Sequence, residues 1–144
     1  MTDAELAPTP AAPTPYAQAI FEFLSEEGFR PKMDDDGDVH FRCEGNAYYV
    51  AAQSGEAQYF QLVFLPFWPI EDAAERVRVH EAAAHVHNHL KVGRILVLED
   101  NVMADVAAYF PEDQTWQGVF YRHLGGLQAV VRSFREHMRA QLEN

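Results

Sequence analysis

Residues 39–44 restrict what this chain can become more than any other stretch. Val39, Phe41 and Cys43 alternate with His40, Arg42 and Glu44. A period of two marks a strand with one face in a core and the other toward solvent. Gly45-Asn46 follows, and reads as a two-residue hairpin turn with Gly in its first central position. A turn that short joins only antiparallel neighbours, so the sheet is at least partly antiparallel.

The rest of the chain extends this beginning. Residues 1–14 carry Pro8, Pro10 and Pro13 among Ala and Thr, and read as a disordered, partly extended tail ahead of one domain over residues 15–144. Thr14-Pro15 is a helix entrance, with Thr14 as cap and Pro15 at the first position. That helix runs to Glu27 and is ended by Gly28. Strands are expected over residues 30–33, 39–44, 48–52 and 59–65, the last apolar on both faces and stopped by the Pro66–Pro69 segment. A second helix spans about Glu71 to Lys91, with Val79, Ala82, Ala83, Val86 and Leu90 as its apolar stripe. Strands over 94–98 and 102–110 form a hairpin about Asp100-Asn101, and a last helix begins near Thr115. Gly125-Gly126 lies within that helix at a cost of roughly 1 kcal/mol per Gly relative to Ala, and either bends it or permits close packing. The order α-β-β-β-β-α-β-β-α predicts an α+β fold, a largely antiparallel sheet with its helices on one face.

Charge narrows the partners. The 144 residues hold 22 acidic and 11 basic side chains, a net of −11. Such a surface repels phosphates, so nucleic acid is not an expected direct ligand. The charge is uneven: 14 acidic and 3 basic residues precede Arg76, and 8 of each follow from there on. That dipolar layout favours association with charged protein surfaces, including a second copy. Cys43 has no partner in the chain, so no disulfide framework exists. No apolar run approaches the roughly 18 residues that span a bilayer. The acidic start lacks the parts of a signal peptide, so a cytoplasmic location and no membrane partner are expected.

Catalytic chemistry finds no anchor. Ser25, Ser54 and Ser133 lie outside any nucleophile elbow, and Cys43 shares its alternation with core positions. Asp34-Asp35-Asp36-Gly37-Asp38 misses the calcium-loop spacing and reads as a solvated turn. His85 and His89, four apart on a helix, have the spacing of two ligands on one metal, but a third must come from elsewhere. His80 and His87 fall on the other flank, and His123 falls in the apolar stripe of the last helix. No phosphate loop is present. No cofactor and no enzymatic activity are expected.

What remains is surplus apolar surface. Phe64, Phe67 and Trp68 cluster at the exit of the fourth strand, while Met103, Tyr109 and Phe110 decorate the last. Exposed apolar patches mark protein contact sites. The runs Phe23–Lys32 and Asp36–Phe41, then Phe67-Trp68-Pro69-Ile70, Asp100–Ala104 and Leu127–Phe134, resemble the YbjN family of small bacterial proteins over about Tyr16 to Met138. That resemblance implies the fold of type III secretion chaperones, which are acidic, cytoplasmic, commonly homodimeric proteins that bind partners without ATP. It also implies a regulatory label and no catalysis. The expectation is a non-enzymatic, homodimeric protein-binding module, chaperone-like or regulatory. Phe64, Phe67, Trp68, Met103 and Tyr109 are its expected contact residues, and a basic or nucleic-acid-binding protein its expected partner. The alternative is a metal-responsive regulator using His85 and His89.

Overall fold

The computed structural model describes residues 12–143. Nine principal elements follow in the expected order: α1 (Pro15–Glu26), β1 (Lys32–Met33), β2 (Val39–Cys43), β3 (Asn46–Val50), β4 (Tyr59–Phe64), α2 (Ala73–His89), β5 (Arg94–Val97), β6 (Val102–Tyr109) and α3 (Phe120–Glu143). The six strands form one sheet in the order β1-β2-β3-β4-β6-β5, every pair antiparallel. Only the β4-to-β5 connection leaves the meander. It carries α2 and places β5 outside β6, at the far edge.

Local chemistry accounts for the element ends. Thr14 Oγ1 accepts the Ala17 N–H at 3.1 Å, and Pro15 occupies the first turn, where its missing N–H leaves nothing unpaired. The same hydroxyl donates to the Ala52 carbonyl, which ties the start of α1 to the end of β3. Thr14 therefore belongs to the folded domain, while residues 1–11 of the expected tail lie outside the described residues. Asp72 caps α2 through the Glu75 N–H at 2.7 Å. Within the β2–β3 hairpin the turn is Glu44-Gly45, one residue earlier than the spacing predicts. Cys43 pairs directly with Asn46, and both turn residues have positive φ, 52° and 83°. Two consecutive left-handed residues make the turn whose twist matches the strands, and Gly tolerates its second place without strain. The last helix also begins differently: Thr115–Val119 is a 3₁₀ turn that leads into α3.

The core lies on one face of the sheet. Val39 and Phe41, Tyr48 and Val50, Phe60, Leu62 and Phe64, and Val102, Ala104 and Val106 point into a single cluster with α1, α2 and α3. Ile20 and Leu24, Val79 and Val86, and Leu127, Val130 and Phe134 supply the helical side. Trp116 is fully buried at its centre, stacked on Phe60 at 5.5 Å. Among the described residues no helix is long and apolar enough to cross a membrane.

Candidate protein-binding face

The three helices α1, α2 and α3 pack on one face, so among the described residues the other face of the sheet has no helix over it. Strand parity settles which residues it presents. With Val39 and Phe41 inward, His40 and Arg42 face outward, and the register carries that assignment across the sheet. One continuous row runs Lys32, His40, Tyr49, Val63, Asp105 and Arg94, each paired with the next. Toward one end lie Ala47, Leu65, Met103 and Leu96. Toward the other lie Gln61 and Ala107, then Tyr59 and Tyr109.

This face is amphipathic, with a polar centre that is fully engaged. Asp105 is completely buried although it faces away from the core. Arg94 grips it with two charge-assisted hydrogen bonds, Nε to Oδ1 at 2.9 Å and Nη2 to Oδ2 at 2.6 Å, and Gln61 Nε2 adds a third at 2.8 Å. The carboxylate in turn holds the Arg94 guanidinium above its ordinary range. Burial, helped by the carboxylates of Asp38, Asp105 and Asp34, pushes the Tyr49 phenol up, so it stays a neutral hydroxyl. At the β1 side, His40 stacks on Tyr49 at 5.2 Å and its Nε2 meets Asp34 Oδ2 at 2.7 Å. Val63 beside this network is 1% exposed yet lies outside the main hydrophobic cluster. Tyr49, Leu65, Leu96 and Met103 are half-buried on the same face.

The expected contact residues fall on two sides. Met103 sits on the open face opposite Leu96, and Tyr109 stands there 78% exposed beside Tyr59, ring centroids 5.1 Å apart. Phe64 instead points inward, 4% exposed, with Tyr48 at 5.0 Å and Phe67 at 5.3 Å. Phe67 and Trp68 are half-buried against Phe134 of α3 at 5.6 and 5.9 Å, and Trp68 Nε1 donates to Glu75. The reason is that α3 extends past the end of β4 and covers the aromatic cluster there. Tyr49, Leu65 and Leu96, which the aromatic count overlooks, complete the outward set. Their signal was the parity of His40 and Arg42 carried through each hairpin.

Several titratable groups outside this face have structural partners. Cys43 sits at the margin of the core, where burial, then the Glu44 carboxylate, raises its thiol. His87 Nε2 accepts the Ile95 N–H at 3.0 Å and joins α2 to β5. His85 stacks between His89 at 4.2 Å and His137 of α3 at 4.3 Å, and His89 Nδ1 is engaged by the His85 carbonyl. The third imidazole is thus near, but the rings stack face on face. Among the described residues no group of three or more His, Cys, Asp or Glu is arranged to hold a metal ion. Asp34 Oδ1 accepts the N–H groups of Asp36 and Asp38, which makes its acidic run a self-bonded turn.

No family model matches the chain, and no curated protein matches it in sequence. Its fold is similar to the crystal structure of YbjN from E. coli, a candidate transcription regulator, with a TM-score of 0.60. That likeness covers 86% of this chain and 92% of the other at 5% identity. The relation is one of fold.

Proposed function

We propose that this protein is a non-enzymatic protein-binding module with a regulatory or chaperone-like role, and that its open sheet face is the surface through which it associates. The observation that carries the reading is a sheet face with no helix over it among the described residues, with Tyr49 in its central row and Leu65, Leu96, Met103 and Tyr109 toward its ends. Apolar side chains set around a few engaged polar groups are a composition found at contact sites. The Asp105 carboxylate is already satisfied by Arg94 and Gln61, so covering the face does not strand that buried charge. The fold shared with YbjN, a candidate transcription regulator, is in keeping with a regulatory role. On this reading the first occupant of the face is a second copy, related by a two-fold axis, and Met103 and Tyr109 contribute apolar contact.

The test is light scattering at micromolar concentration on the wild type and on Leu96→Glu. The expected result is twice the chain mass for the wild type and the chain mass for the variant, with unchanged circular dichroism. A wild type that runs as a monomer refutes the homodimer, and a variant that stays dimeric moves the interface off this face.

A further inference from the structure

On the helical side, α3 and the β2–β3 hairpin enclose a groove of about 480 Å³, inside the range of small-molecule sites. Arg132, Arg135 and Arg139 line one wall at intervals of three and four residues, so they share one side of the helix. Carboxylates outnumber cations two to one in this chain, 22 to 11. Even so, among the described residues none of these three arginines forms an ion pair. Arg135 is held in place: its guanidinium lies over the rings of Phe67 and Phe64, at 5.2 and 5.7 Å. The floor is apolar but narrow, from Phe64 and Val131, which are 4% and 2% exposed, and Gln128 Nε2 donates to the Tyr48 hydroxyl beside it at 3.3 Å. Two carboxylates, Glu44 and Glu136, also line the groove, and Glu44 is occupied by the Gln128 amide.

We infer that this groove binds a small organic dianion with an apolar body, its charged end on Arg132 and Arg139 and its body against the Phe64–Val131 floor. Planar guanidinium forks match carboxylate and phosphate oxygens in pairs, and an arginine without a protein carboxylate keeps those donors free. Glu44 and Glu136 limit the anion-accepting stretch to the length of a small molecule, because they repel a longer acidic chain. The site lies on the helical side and is independent of the open sheet face.

Phenyl phosphate and phthalate serve as probes, titrated into isotope-labelled protein by amide NMR at constant ionic strength. The expected outcome is saturable shifts around residues 128–139 with a Kd below about 1 mM, weakened at least tenfold, about 1.4 kcal/mol, in Arg132→Gln/Arg139→Gln. Arg122→Gln, exposed on the same helix, should bind like the wild type. Both Arg132 and Arg139 are exposed helical positions, so the variant keeps its fold, which circular dichroism verifies. Three outcomes overturn the inference: shifts that sodium chloride reproduces, undiminished binding by the double variant, or tighter binding of hexaglutamate than of phenyl phosphate.

Discussion

His123 is the residue whose surroundings ask most of its chemistry. Its ring stacks on Phe60 at 5.5 Å and faces Phe110 at 6.1 Å, and its Nδ1 is buried without a hydrogen-bond partner. Burial holds its pKa below the ordinary histidine value, since a charged imidazole there would lose its hydration. The unfolded chain protonates this side chain near pH 6.5 while the folded chain resists. Below that pH the unfolded state therefore binds more protons, and stability falls as pH drops toward 5. Denaturant unfolding at pH 7.5, 6.5 and 5.5 should show this loss, and His123→Phe should flatten it. An equal slope in the variant would assign the loss elsewhere, for instance to His85, whose pKa is lowered by burial and then by His89 and His137 beside it. The apolar stripe of the last helix points to His123 as a satisfied core or interface histidine, whereas among the described residues its Nδ1 has no partner. That its ring would face Phe60 was not legible, because no pattern within one helix names the strand beneath it.

Elements were easier to read than their junctions. Periodicity locates six strands and three helices because burial repeats along each one, and every repeat is local. The Glu44-Gly45 turn and the 3₁₀ entry to α3 differ from the sequence expectation by a residue or a turn, since several local geometries satisfy the same composition there. The glycine pair in α3 shows what packing adds. A Cβ on Gly126 would stand 2.9 Å from Val92 Cγ2, whereas one on Gly125 meets nothing within 4 Å. Close packing against the loop before β5 is therefore the role of one glycine and not of the pair. Gly125→Ala should raise stability by about 0.5–1 kcal/mol through helix propensity and a less flexible unfolded chain. Gly93 is the opposite case. Its φ is +96°, and a Cβ there would sit 2.6 Å from Val130 Cγ2, in the core side of α3. Gly93→Ala combines a left-handed backbone with overpacking and should cost about 2 kcal/mol or more. Chemical denaturation of the two variants side by side tests both signs, and a neutral Gly93→Ala would mean the β5 entrance yields without strain.

At the scale of the whole molecule, the charge asymmetry and the proposed contact face would favour different partners, and salt separates them. The first 75 residues hold the entire net charge of −11, while the remainder is neutral. Charge of that kind steers a basic partner from a distance, and its effect shrinks as the screening length falls from about 10 Å at 0.1 M salt to about 3 Å at 1 M. The proposed association through the open face would act at contact. Leu65, Leu96 and Met103 lie on one side of the Tyr49–Val63–Asp105 row and Tyr59 and Tyr109 beyond the other, and removing such groups from water does not depend on screening. Position along the sequence could show the charge asymmetry, but the open face became visible only once the register joined six strands into rows. The proposed homodimer should therefore hold its mass in light scattering from 0.1 to 1 M sodium chloride. A basic probe such as oligolysine should associate at 0.1 M and lose nearly all affinity at 1 M. Dissociation of the dimer by salt would place its stability in the charge asymmetry, and would leave the apolar rim of the sheet free for a different protein.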